Sequence, residues 1–251
     1  MKLSTYILRR LNDFESNLNV TLINKNEEAI HDLRVALKKV FAVKKILKFL
    51  VRDYKLSFAP RFEDLRFVFK ISGRIRDCQL MIGASKERLP QKQYYSFRRT
   101  CNTEINHAYS ELTSYLANYS VKNIKREVII VFRAIDLLRP EYVIFKIKDY
   151  VASNENLIQQ EFNSETCDYH KIRRWVKEQY YLLVLLEEVF NDKIEEQLKI
   201  FKKETGSILG NWHDLNVLHH HLSGSRIKID QQVLMDIHRE AQDLIEVMRG
   251  S

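Results

Sequence analysis

One stretch of this chain places basic side chains at helical spacing. With Arg34 at zero and 100° per residue, Lys38, Lys45, Lys48 and Arg52 fall within about 40° of it, and His31 lies about 60° away. Leu33, Leu37, Val40 and Leu47 form an adjacent apolar stripe centred roughly 100° round. The basic row holds no acidic residue, so the i,i+4 ion pairing of an ordinary exposed face is missing from it. Lys39 and Lys44 lie outside the row and are expected to meet solvent. Arginine offers a planar fork to oxyanions and lysine a mobile point charge. Histidine adds a donor whose charge varies near neutral pH. Such a row suits a phosphate-bearing ligand held by many modest contacts, with an affinity that falls as salt rises.

A second row follows in Arg66, Lys70 and Arg74, spaced i, i+4, i+8, with Arg76 and Asp77 close by. Cationic rows on neighbouring helices repel unless something negative stands between them, either carboxylates or a ligand. Asp77 and Asp214 offset only part of that charge.

Both patterns recur. His31-Asp32-Leu33-Arg34-Val35-Ala36-Leu37-Lys38 is echoed by His170-Lys171-Ile172-Arg173-Arg174-Trp175-Val176-Lys177, each fitting H-x-[LI]-R-x-x-[LV]-K. Ser72-Gly73-Arg74-Ile75-Arg76-Asp77 is echoed by Leu209-Gly210-Asn211-Trp212-His213-Asp214. The offsets, 170 − 31 = 139 and 214 − 77 = 137, nearly agree. Two unlike motifs in one order at one offset mark a tandem of two related halves, 1–120 and 121–251. The candidate site residues are therefore His31, Arg34, Lys38, Lys45, Lys48, Arg66, Lys70, Arg74, Arg76, His170, Arg173, Lys177 and Lys203. Gly73 and Gly210 suit a close helix approach beside them.

The elements that must position these residues are helices. Of 251 residues, 6 are glycine and 3 proline, too few for a fold built on many turns. Breaks at Asn24-Lys25-Asn26, Asp53 to Pro60, Pro90, Ser120, Pro140, Asn163-Ser164-Glu165, Asn191-Asp192 and Ser223-Gly224-Ser225 predict about nine helices with short connections. The net charge of +8 favours phosphate-bearing or acidic partners. Three scattered cysteines, Cys78, Cys101 and Cys167, indicate neither a zinc site nor a disulfide framework. Arg9 and Arg10 end the first apolar stretch before it could form a signal-peptide core. The longest apolar run, Tyr180 to Leu186, is about a third of a membrane span. A cytoplasmic protein is expected.

With these residues in view, the chain resembles the CHAD (conserved histidine α-helical) domain family. The likeness rests on H-x-x-R-x-x-x-[RK] opening one helix and L-G-x-x-[RN]-D on a later one, each occurring twice, the second with one departure in each copy. The resemblance implies two tandem four-helix bundles about a pseudo-two-fold axis, with basic side chains lining a central groove or pore. It also implies binding of inorganic polyphosphate and association with polyphosphate granules. The chain departs from the family pattern at several places. Phe41 and Tyr180 stand where a basic residue is usual, Ser72 replaces a leucine, and His213 an asparagine. The second-half stripe continues as Val184 and Glu187. The first half is therefore expected to hold most of the charge, and reversal at Arg34 plus Lys38 to cost more binding than reversal at Arg173 plus Lys177.

Enzyme signatures are missing: there is no G-x-x-x-x-G-K-[ST], G-x-S-x-G or H-E-x-x-H, and no cofactor is expected. Consecutive His219, His220 and His221 point about 100° apart on a helix and cannot converge on one metal ion. Asp77 and Asp214 read as isolated carboxylates, not a Mg²⁺ cluster for phosphoryl transfer. Trp175 and Trp212 are expected to fill cores. Nucleic acid is the alternative ligand, ranked lower because Phe41 is the one aromatic within the basic row.

Overall fold

A computed structural model describes residues 1–53, 62–117, 125–126, 129, 136–192, 196–225 and 227–250. Among the described residues there are eight helices and no strand: α1 (Leu3–Asn24), α2 (Glu27–Asp53), α3 (Glu63–Ser85), α4 (Gln91–Leu116), α5 (Pro140–Phe162), α6 (Tyr169–Phe190), α7 (Glu196–Ser223) and α8 (Gln231–Gly250). The stretch predicted between Ser120 and Pro140 lies largely outside the described residues.

The breaks act through local chemistry. Lys25 adopts φ 50° and ends α1, and Asn26 then caps α2 by accepting the Ala29 N–H at 2.7 Å. Pro140 opens α5, where its missing N–H costs nothing. Asp168 accepts the Lys171 N–H at 3.0 Å, which fixes the start of α6 one residue before His170. Asn191, at φ 54°, ends the same helix. No described helix is long and apolar enough to cross a membrane.

Helices α2, α3, α7 and α6 close a ring of contacts: α2 packs on α3, α3 on α7, α7 on α6, and α6 on α2. Outside it, α1 covers α2, α4 covers α3, α5 covers α6 and α8 covers α7. Two apolar cores result. One gathers Phe14, Leu33, Leu37, Val68, Tyr109, Ile147 and Leu185, and the other Met81, Phe97, Ile172, Val176, Trp212 and Ile237. Each core draws on both halves of the chain. Trp212 is 7% exposed within the second core and Trp175 packs partly buried against that core, so both tryptophans serve it.

Ion pairs clasp α2 to α6. Glu178 holds Lys45 at 3.3 Å, and Glu188 holds Lys39 at 2.9 Å together with Arg10 of α1 at 3.0 Å. Lys39 is thus committed to a carboxylate across a helix interface, contrary to its expected exposure. Lys44 rests over the Phe62 ring, 4.8 Å from its centroid.

Candidate functional site

The four ring helices bring together residues that lie 139 positions apart in the sequence. Arg34 and Lys38 from α2 meet Arg173 and Lys177 from α6 closely enough that each lysine feels both arginines. Helix α3 adds Asp77 and α7 adds Asp214. The leucines flanking Arg34 and Lys38 belong to one core, and Ile172 and Val176 beside Arg173 and Lys177 to the other. The charges therefore occupy the seam between two apolar cores.

Glycines make the seam narrow. A Cβ at Gly73 would stand 2.9 Å from Arg34 Nη1, so the guanidinium lies across the α3 backbone where a side chain would otherwise project. Arg34 Nη1 donates there to the Phe69 carbonyl at 2.9 Å, and the guanidinium sits 4.4 Å from the Phe69 ring centroid. On the other side, Lys177 lies against Gly206 and Gly210, its Nζ 3.9 Å from where a Gly210 Cβ would be. Gly73→Ala should displace the Arg34 guanidinium, the far end of a long side chain, from the Phe69 carbonyl, at a smaller cost to folding than a clash with backbone. It is expected to weaken anion binding about tenfold, the worth of one charge-assisted hydrogen bond. Gly210→Ala, with ordinary contact distance, should change binding less than threefold; calorimetric titration of both variants checks the contrast.

Charge in the seam is poorly matched. Among the described residues no carboxylate lies within 4.0 Å of the charged nitrogens of Arg34, Lys38, Arg173 or Lys177. Burial, then the neighbouring Lys177, Arg34 and Arg173, lowers the Lys38 amine to a pKa of about 7. Burial and Arg173 lower Lys177 to about 8. Burial raises the pKa of Asp77 and Asp214, against the pull of Arg34 and Arg173 on the first and of Arg173 and Lys177 on the second. Each also lies near enough for Asp77 to raise Asp214, so the two carboxylates are not isolated from one another. His213, buried beside Arg173, is held to about 4 and is neutral at physiological pH. Arg173 Nε and His213 Nδ1 are buried without a hydrogen-bond partner among the described residues, a costly state for polar atoms.

The remaining sequence candidates divide. Exposed His31 and half-buried Arg76 stand at one edge of the seam, where partial desolvation, Arg76 and Lys38 lower the His31 pKa; Arg76 lies 3.7 Å from Glu27. Exposed His170 stands at another edge, its ring 4.6 Å from Trp212 and 5.3 Å from His213. Arg66 and Lys70 are exposed on the Asp77 face of α3, about three and two turns away. Lys203 is likewise exposed, about three turns from Asp214 on α7. Lys45 is neutralised by Glu178, and the Lys48 and Arg52 side chains lie outside the described residues. Arg74 does not join the seam: it turns to α4, where Glu104 and Glu111 each hold it at 2.5 Å and His107 lies 3.3 Å away. The row Arg66, Lys70, Arg74 therefore loses its last member to α4, whose acidic residues nothing in the α3 sequence announces.

At the seam the halves contribute equally, two cations each, because α2 and α6 meet through equivalent motif positions. The predicted asymmetry shrinks accordingly: charge reversal at Arg34 plus Lys38 and at Arg173 plus Lys177 should cost binding to the same order of magnitude. His213 was legible only as a departure from a motif; its burial among arginines follows from packing. Among the described residues no group of three or more His, Cys, Asp or Glu side chains could hold a metal ion.

A family model described as CHAD domain matches residues 5–223. The chain is also similar in fold to the crystal structure of the CHAD domain from the plant Ricinus communis, with a TM-score of 0.71 and 15% identity, covering 98% of this chain and 86% of that one. No curated protein matches the chain.

Proposed function

The chain belongs to the CHAD domain family, and on that premise we propose that it binds inorganic polyphosphate, without chemical conversion, at the seam between α2, α3, α6 and α7. The observation that carries this reading is four cations from two helices gathered, among the described residues, around two aspartates, with the buried donor Arg173 Nε unpaired. Phosphate oxygens supply the missing negative charge and accept from Arg34 and Arg173 in planar pairs. Exposed Arg66, Lys70 and Lys203 would guide the polymer outward along α3 and α7. In this reading residues 1–120 and 121–251 are two bundle-like repeats related by a pseudo-two-fold axis, and neither alone builds the site. Residence at polyphosphate granules would follow from the ligand.

A salt-titrated binding measurement with polyphosphate of defined length tests the proposal. Affinity should fall steeply and linearly on a log–log plot as salt rises. In competition, polyphosphate should displace single-stranded RNA at lower phosphate concentration than the reverse; the opposite order would favour a nucleic-acid binder. Incubation with polyphosphate and Mg²⁺ should leave chain length unchanged, and shortening would make the protein an enzyme.

A further inference from the structure

We propose that this site takes up protons together with its anion, received by the amines of Lys38 and Lys177 in the cluster of unpaired cations where α2, α3, α6 and α7 meet. The inference rests on the polyanion reading above and concerns how that site is regulated.

The argument begins with a count of charges in a confined place. Lys38 of α2 and Lys177 of α6 face each other and share Arg34 of α2, Arg173 of α6 and Asp214 of α7. His31 of α2 also faces Lys38 and His213 of α7 faces Lys177, while Asp77 and Arg76 of α3 and Tyr181 of α6 stand against Arg34. Arg34 lies across Gly73 of α3, and the Lys177 amine lies 3.9 Å from where a Cβ of Gly210 on α7 would be. Burial raises the Tyr181 hydroxyl to about 12 and keeps it neutral, and His213 is neutral as well. What remains is an excess of cations over two aspartates, none close enough for an ion pair. Guanidinium groups do not give up their proton in proteins, so Arg34 and Arg173 keep their charge. Only the lysines can relieve the repulsion, and they do so by losing a proton. The pKa values of about 7 for Lys38 and about 8 for Lys177 agree with this assignment.

A phosphate chain reverses the local field and restores both amines toward the ordinary lysine range. Each amine that was neutral then takes a proton from solvent. From those two values, about one proton in total is taken up per site at pH 7.5. Protons are bound on complex formation, so raising the pH opposes binding. Affinity is expected to fall at least about tenfold between pH 7 and pH 9, a range over which an ordinary lysine site would hardly change.

Calorimetric titration of the full chain with long-chain polyphosphate, at pH 7.5 in buffers of different ionisation enthalpy, reads the proton count directly. Long chains keep the titratable terminal phosphates a small share of the ligand. The observed enthalpy should vary with buffer enthalpy with a slope of about one proton taken up per site, shrinking at pH 6 where both amines are already charged. Lys38→Arg should still bind, with most of the slope gone and the pH dependence flattened. Lys38→Met gives a second route should the arginine not be accommodated, and it too should lose most of the slope. Tight binding with no buffer dependence would overturn the proton linkage and leave the polyphosphate reading standing. No binding in any buffer would overturn both, and an unchanged slope in Lys38→Arg would remove Lys38 from the account.

Discussion

Arg34→Met combined with Arg173→Met should weaken polyphosphate binding by about three orders of magnitude, from two lost charge-assisted interactions of about 1.5–3 kcal/mol each. The two guanidiniums are the charges in the seam that persist at every physiological pH. One lies across Gly73 and is fixed by the Phe69 carbonyl, and the other carries a buried Nε with no hydrogen-bond partner among the described residues. Both are thus held ready for an oxyanion. Replacing them removes the two of the four seam cations that stay charged at alkaline pH, where the lysines of the free protein are neutral. Helical content by circular dichroism should be unchanged, because the replaced atoms make one hydrogen bond to the rest of the chain. A loss of less than tenfold in a folded variant would place the ligand elsewhere.

The second large effect is on stability and has the opposite sign. Lys38→Met should raise the melting temperature of the free protein by about 2–8 °C while it weakens binding. Lys38 is largely covered among like charges, and among the described residues no carboxylate pairs with it. An apolar side chain of similar length fits the same volume without the desolvation and repulsion that the ammonium suffers. The pH dependence identifies the cause. The unfolded chain holds the Lys38 proton up to the ordinary lysine range, whereas the folded chain releases it near pH 7. Between those values the unfolded state binds more protons, so Lys38 makes the wild type more stable as pH rises from about 7 toward 10 and contributes a constant penalty below 7. Lys38→Met should show a flatter profile over that interval, with its largest advantage at or below pH 7. Thermal melts of both proteins at pH 7 and pH 9.5 test this. A destabilised Lys38→Met would mean that the amine supports the fold, and the seam would then not be a site kept at the expense of stability.

The helical architecture was legible because its determinants are local. Scarce glycine and proline, an apolar seam on α2, and breakers such as Lys25-Asn26, Pro140 and Asn191 act within a few residues of where they stand. The repeated motifs were legible for a related reason: equivalent positions keep equivalent residue types. Arg34, Lys38, Arg173 and Lys177 could be nominated without coordinates. Arg74 could not be removed without them, since Glu104 and Glu111 lie thirty or more positions away on a helix whose rotation is set by packing. Nor could Lys39 and Lys45 be assigned to Glu188 and Glu178, which lie more than 130 positions distant.

By itself, the sequence determined that the chain is helical, and that a motif placing a histidine, an arginine and a lysine on one helix face occurs twice. Only the tertiary structure decided which of its cations share a low-dielectric space and which are quenched by carboxylates. Helix periodicity sets the direction of a side chain relative to its own axis. Whether that direction meets solvent, an acid or a second cation depends on how α2, α3, α6 and α7 are placed against one another.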